Sequence, residues 1–200
     1  MNDSDFLRIT GGIASILTSL FVLAGYLLEY IDEPINGEMA GKIALFAAHI
    51  VVIFVFLAVF DKHKEESQFL AGSALIFGAV GTVAGATSAF MDIAAAGGAD
   101  VAEIMEVSAI RIISGTGLIL IAAALFFLGF TIIFGRHLSK WGGWLIVLGT
   151  FVLILGHFET DYSAGLLMIG AAFNFGGFFL TGVTLLRDHH GTELFIKRSI

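Results

Sequence analysis

Apolar stretches and short polar connections alternate along this chain six times. Each stretch runs for 18 to 25 residues without Asp, Glu, Lys or Arg, which is enough for a helix to cross about 30 Å of hydrocarbon. None has the strict alternation of a barrel strand. The pattern predicts an all-α bundle of six transmembrane helices in one domain, residues 1–200, with spans at about 9–28, 43–60, 67–91, 112–135, 141–158 and 162–186.

The segment ahead of the fourth span has a helical pattern of its own. Residues 100–111, DVAEIMEVSAIR, carry the apolar spacing of an amphipathic helix. We expect this segment to be an early helical start of the fourth span.

Lys and Arg are distributed unevenly over the connections, and this sets the expected orientation. If both termini are cytoplasmic, eight basic residues lie inside and only Lys42 and Arg111 lie outside. Because cytoplasmic loops of membrane proteins carry the excess of Lys and Arg, we predict an N-in, C-in protein. The acidic residues collect in the other loops, which predicts an acidic outer face.

Composition supports a membrane location and excludes several classes of function. Hydrophobic residues make up 58% of the chain and charged residues 14%, against about 25% charged residues in soluble domains. The chain has no Cys and a net charge of −7, which excludes thiolate sites and argues against nucleic acid as a partner. It also lacks the fingerprints of serine hydrolases, zinc proteases and P-loop enzymes. We therefore expect a non-enzymatic protein of a prokaryotic plasma membrane.

Small residues recur on one face of three spans. The third span carries Gly78, Gly81 and Gly85 on one stripe, and the sixth carries Gly170 and Gly177. The stripe on the first span comprises Gly11, Ser15, Thr18, Gly25 and Glu29. In lipid, small residues let helices approach closely, so we predict that these glycines seal helix contacts rather than line a pore.

Two polar residues interrupt the spans at depth. His49 lies within FAAHIVV in the second span, and Asn174 lies near the middle of the sixth. A polar side chain without a partner is costly in hydrocarbon. We expect each to face the interior and to hydrogen-bond to a neighbouring helix, with a place on a transport or proton path as the functional alternative.

The outer ends of the spans collect charged and imidazole side chains, namely Glu29, Asp92, Arg111, His157 and Glu159. Asp92 and Arg111 bracket the third loop and are expected to pair. Carboxylate and imidazole groups can hold a divalent cation, and His49 with His157 can ligate haem. A solvated acidic rim is the simpler interpretation, so no cofactor is predicted, and haem and a divalent cation stay open as alternatives.

Three spans end in a basic residue and a His. The second ends VFDKH at residues 59–63, the fourth ends IFGRH at 133–137, and the sixth ends LLRDHH at 185–190. Since cations and His suit the inner headgroups of a membrane, we interpret this repeated ending as an adaptation to the membrane interface, with an ancient triplication of a helical hairpin as the alternative.

Residues 117–156 resemble the closing helix pair of a broad group of uncharacterised bacterial integral membrane proteins. Their sequence is GLILIAAALFFLGFTIIFGRHLSKWGGWLIVLGTFVLILG. Residues 7–25, LRITGGIASILTSLFVLAG, are similar to the first helix of that group. Ser139 and Lys140 stand where the group usually has Pro in the basic turn. The resemblance implies a fold of six or seven helices and assigns no catalytic residue.

Three functional hypotheses follow, in order of preference. The first is an accessory membrane subunit that acts through helix packing and its acidic outer face, with lipids and other membrane subunits or further copies as partners. The second is a transporter of a small solute or ion, with His49 and Asn174 along its route and Glu29 at its mouth. The third is a redox subunit that binds haem or a metal.

Overall fold

The computed structural model describes residues 3–30, 36–158 and 162–196. Within these ranges every regular element is helical and no strand is assigned, which confirms the all-helical prediction. In chain order the helices are α1 Asp3–Tyr30, α2 Asn36–His63, α3 Gln68–Ala96, α4 Ala102–Glu106, α5 Ser108–Phe134, α6 Lys140–Gly156 and α7 Ser163–Ile196.

Five of these helices are long and apolar enough to cross a membrane: α1, α2, α3, α5 and α7. The sixth predicted span corresponds to α6, which has 17 residues and is therefore about 26 Å long. The helices extend beyond most predicted spans because an apolar run marks only the part of a helix that suits lipid. The count of six spans and the orientation stay predictions.

The six long helices form a closed ring of antiparallel neighbours. The order around the ring is α1, α2, α3, α5, α6 and α7, and α7 contacts α1 again. Gly25, near the end of α1, lies against Leu45 near the start of α2, whereas Gly11 lies against Ala58 near its end. Both described chain ends therefore lie at the same end of the ring.

Basic side chains are concentrated at one end of the ring. The acidic end carries Glu29, Glu38, Asp92 and Asp100. The basic end carries Arg8, Lys62, Lys64, Arg136, Lys140 and Arg187 together with the acidic Asp5, Asp61, Glu65 and Glu66. The charge rule predicts that the acidic end is external.

The glycines predicted to pack helices lie at close helix contacts. A Cβ on Gly81 would lie 2.6 Å from the backbone nitrogen of Ile121 in α5, and one on Gly177 would lie 2.6 Å from Ile146 in α6. The remaining pairs are Gly78 with Phe56, Gly85 with His49 and Gly170 with Leu153. The stripe on α3 thus faces α2 and α5, and the stripe on α7 faces α6.

Apolar side chains fill the ring toward the basic end. This core includes Val55, Phe56, Val59, Leu128, Ile132, Ile146 and Leu185. Large apolar side chains such as Phe69, Ile119 and Trp141 are exposed instead. An exposed apolar surface on long helices is what a lipid environment requires.

The fourth span begins before residue 112, as predicted, because α5 starts at Ser108, but segment 100–111 is not one continuous helix. The short helix α4 ends at Glu106, Val107 is extended with φ −61° and ψ 119°, and α5 begins only at Ser108. The apolar spacing is correct on both sides of the break. A β-branched residue such as Val has a lower helix propensity, and this favours the break at position 107.

Candidate functional site

A cavity of about 270 Å³ lies inside the ring, in the half nearer the acidic end. All six ring helices contribute to its walls, most of which are aliphatic or aromatic. The polar side chains that line it are Thr18, Tyr26, His49, Ser88, Asp92, Thr150, His157 and Asn174. Of the seven residues named as ligand, pathway or metal candidates from the sequence, four therefore line this one cavity.

The cavity is closed toward the basic end and reaches the surface at the acidic end. Val52 and Phe178 line it and belong to the apolar core, which continues through Phe56 and Leu128. At the other end, Asp92 and His157 line the cavity and are exposed. The cavity is therefore a blind pocket with its mouth at the acidic end.

Two buried polar atoms on the cavity walls have no hydrogen-bond partner: Thr18 Oγ1 and Asn174 Oδ1. Asn174 is 1% exposed and Thr18 is 2% exposed. Asn174 packs against Gly149 of α6, and glycine has no side chain that could donate. The predicted interhelical hydrogen bond is therefore not made by Oδ1. An unsatisfied buried group costs about 1–3 kcal/mol, and both side chains belong to the cavity lining, so a partner that reached either atom from the cavity would stabilise it.

His49 takes its hydrogen-bond partner from its own helix. Its Nδ1 donates to the carbonyl oxygen of Leu45 at 2.8 Å, so the predicted bond to a neighbouring helix was wrong. In the neutral ring Nε2 is then an acceptor, and this edge of the ring lies against Gly85 of α3. His157 repeats the arrangement, with Nδ1 2.8 Å from the carbonyl oxygen of Leu153.

Charges at the mouth of the cavity are mostly negative. The Lys42 ammonium lies 3.7 Å from Glu29 Oε1 and 3.5 Å from Glu38 Oε1. The Glu29 carboxylate also lies close enough to Asp92 to be repelled by its charge. Among the described side chains that line the cavity, Asp92 is the carboxylate, and Glu29 and Glu38 share Lys42 at the same end of the ring.

The metal and haem alternatives fit this site poorly. No three His, Asp or Glu side chains come close enough to hold a metal ion in the part of the chain that the structure describes. Glu159 and the Arg111 side chain lie outside that part, so the Asp92–Arg111 pair stays a prediction. His49 and His157 share the cavity, but its 270 Å³ is below the roughly 300–1,000 Å³ of drug-sized pockets, and haem is larger still.

A cluster of His and Glu side chains at the basic end joins the connection between α2 and α3 to the connection between α5 and α6. His63 is fully buried, its Nδ1 donates to the carbonyl oxygen of Val59 at 3.0 Å, and its Nε2 has no partner. Its ring meets that of His137 edge-on, with centroids 5.7 Å apart. His137 Nε2 in turn lies 3.3 Å from Glu66 Oε1. The echoed ends VFDKH and IFGRH therefore contact each other.

A second cavity, of about 250 Å³, lies at the basic end between α1, α2 and α7. Arg8 pairs with Asp5 at 3.0 Å, and Ser4 Oγ donates to Asp61 at 3.3 Å. Lys64 also donates to Asp61, at 2.7 Å, and this hydrogen bond raises the pKa of Lys64 above its usual value. Because these charges satisfy one another, this cavity is the weaker candidate.

Sequence reasoning missed several polar residues of the larger cavity. Tyr26, Ser88 and Thr150 were not singled out, and Thr18 was assigned only to a packing stripe. Thr150 does stand out in the sequence, because α6 contains only one other strongly polar residue, Lys140. A lone hydroxyl in an apolar helix usually bonds to its own backbone, so its position on a cavity wall could not be inferred.

No family model, curated protein or solved structure matches this chain. The resemblance of residues 117–156 to uncharacterised bacterial membrane proteins stays a prediction from the residues alone.

Proposed function

We propose that this protein is an integral membrane protein that binds a small polar solute in the larger cavity and serves its transport. One observation carries the proposal: two side chains that line a pocket with an exposed mouth, Asn174 and Thr18, each keep a buried polar atom without a hydrogen-bond partner. A bundle that served only for packing would fill this volume or pair these atoms. The second of the three hypotheses from the sequence is therefore favoured over the first.

The proposed solute enters from the external side of a prokaryotic plasma membrane, through the acidic end. This requires six spans with both termini cytoplasmic, and α6 must be one of the spans. The packing of α6 supports that role. Gly142, near its start, lies against Thr181 of α7, and Gly156, at its end, lies against Leu167. Its whole length thus runs beside a helix that is long enough to cross a membrane.

Release toward the basic end requires the apolar core to open. Phe56 and Leu128 lie in that core beyond the cavity floor, so transport needs a second arrangement of the helices. The partners expected from the sequence, other membrane subunits or further copies, would supply this movement. In this form the accessory-subunit hypothesis becomes part of the proposal.

Thr18→Val tests the proposal with a matched control. The protein is purified from its native membrane, and bound small molecules are identified by native mass spectrometry. We expect a solute in the wild type, loss of that solute in Thr18→Val, and its retention in Thr131→Val. Thr131 is also fully buried, but it donates to the carbonyl oxygen of Phe127 at 2.7 Å and does not line the cavity.

Uptake of the same solute gives a second measurement. Asn174→Leu removes the unpaired acceptor, so we expect it to abolish uptake into proteoliposomes while the unfolding temperature stays near that of the wild type. A wild-type cavity that holds only water, with no solute detected and no uptake, would contradict the proposal. So would a folded Thr18→Val that retains the solute as well as the wild type does.

A further inference from the structure

The hydrogen-bonding character of the cavity walls narrows the class of solute. We infer that the cavity takes a small organic cation with a primary ammonium group and a short apolar body. This inference rests on the proposed function and names the solute that it would bind.

Most polar side chains that line the cavity can still accept a hydrogen bond. The hydroxyls of Thr150 and Ser88 already donate to backbone carbonyls of their own helices, at 2.7 and 3.2 Å. His49 and His157 donate through Nδ1, also to their own helices, at 2.8 Å each. In the neutral rings both Nε2 atoms are acceptors. These four side chains therefore favour a solute that donates hydrogen bonds.

The buried inner part of the cavity adds a further acceptor. Asn174 Oδ1 is unpaired, and the unpaired Thr18 hydroxyl can accept as well as donate. Donors among the described lining side chains are the hydroxyls of Thr18 and Tyr26 and the Asn174 amide, and none of those side chains is Lys or Arg. An anionic solute would meet more acceptors than donors here.

Charge at the mouth favours a cation. Asp92 lines the cavity and is exposed at its mouth, and at the same end of the ring two further carboxylates, Glu29 and Glu38, share the one ammonium group of Lys42. A cleft with an excess of one charge and low-dielectric walls concentrates ions of the opposite charge. An ammonium group is a compact cation with three donors and no acceptor, so it complements both the mouth and the walls.

The apolar walls favour an organic cation over an inorganic one. Hard metal ions such as Ca²⁺ take about six to eight oxygen ligands, whereas much of this lining is aliphatic, as at Val22, Leu45, Leu118 and Leu125. A short hydrocarbon body would contact these side chains. The volume of about 270 Å³ keeps that body small.

Three probes of equal chain length test the inference: n-butylamine, n-butanol and butyrate. The full-length protein is purified in detergent, and binding is followed at pH 7 and constant ionic strength by ligand-observed NMR and by the shift in unfolding temperature. At this pH n-butylamine is protonated, because an amine of this kind has a pKa of about 10.4. We expect n-butylamine to bind at least about tenfold more tightly than n-butanol, and butyrate not to bind.

A matched pair of variants locates the charge. Asp92→Asn should weaken n-butylamine binding about tenfold and leave n-butanol binding unchanged. Asp100→Asn should alter neither, because Asp100 is exposed at the same end but does not line the cavity. If Asp92→Asn fails to fold, the salt dependence of binding to the wild type still tests whether charge attracts the ligand. Raising the ionic strength should weaken binding of n-butylamine but not of n-butanol.

The outcomes separate the inference from the proposed function. If n-butanol or butyrate binds as tightly as n-butylamine and Thr18→Val weakens that binding, the ammonium class is overturned and the solute site stands. If neither Asp92→Asn nor Thr18→Val changes the affinity for n-butylamine, its binding is non-specific and the inference fails. If none of the probes binds, the inference also fails, and the solute identified from native membranes decides the proposed function by itself.

Discussion

At the scale of single residues, two serines one turn apart on α1 have different roles. Ser15 Oγ donates to the carbonyl oxygen of Phe178 in α7 at 2.6 Å, and Ser19 Oγ donates to the carbonyl oxygen of Ile16 in its own helix at 2.7 Å. Both serines are fully buried. Only Ser15 therefore links the first and last helices of the ring.

We expect Ser15→Ala to lower the free energy of unfolding by about 0.6–1.7 kcal/mol, from the average to the largest value measured for hydrogen bonds between membrane helices. Ser19→Ala should cost less because its hydroxyl only adds a second bond to a helical carbonyl. Equilibrium unfolding in mixed micelles measures both. A loss in Ser19→Ala as large as that in Ser15→Ala would contradict the linking role of Ser15.

Three of the described histidines follow one rule that the polarity pattern did not indicate. His49, His63 and His157 each hydrogen-bond through Nδ1 to the carbonyl oxygen four residues earlier. Local bonds of this kind compete with bonds between helices. A deep His in an apolar helix was therefore a sound signal of an interior position but a poor guide to its partner.

At the scale of helices, the glycines of α3 differ in what lies beside them. A Cβ on Gly81 would lie 2.6 Å from the backbone nitrogen of Ile121, whereas one on Gly72 would meet nothing within 4 Å. Backbone atoms cannot move away as a flexible side chain can. The contact between α3 and α5 therefore depends on Gly81 and not on Gly72.

Gly81→Ala should destabilise the protein by about 1–3 kcal/mol, the usual cost of overpacking. Gly72→Ala should leave stability unchanged or raise it slightly, because Ala favours the helix by up to about 1 kcal/mol over Gly. Thermal unfolding in one detergent compares the two variants. Equal unfolding temperatures for Gly81→Ala and the wild type would show that α3 and α5 do not approach as closely as this.

At the scale of the whole molecule, the closed ring determines which loops share a side. Neighbouring helices are antiparallel, so the connections alternate between the acidic and basic ends. If α6 is a span, residues just before it and just after it lie on opposite sides of the membrane. The chain has no Cys, so single introduced thiols report their side without background.

We expect a membrane-impermeant maleimide to label Ala99→Cys and Tyr162→Cys in intact cells. Glu65→Cys and Arg136→Cys should react only after the membrane is permeabilised. All four positions are exposed. The pattern tests the N-in, C-in orientation and the sixth span together. Labelling of Arg136→Cys and Tyr162→Cys from the same side would mean that α6 does not cross the membrane.

The sequence by itself determined the helical class, the positions of the long apolar helices and the concentration of basic residues in alternate connections. These follow from run length, local spacing and composition, which act within one helix at a time. Helix ends and the break at Val107 were harder because cap geometry and backbone turns leave only weak traces in a sequence.

Tertiary structure alone decided which polar residues meet. His49, Asp92 and Asn174 belong to three helices, and each was visible in the sequence as a separate polar position. Their common cavity depends on the order of the helices in the ring and on the rotation of each about its axis. Packing among all six ring helices sets both, and no segment of the sequence records them.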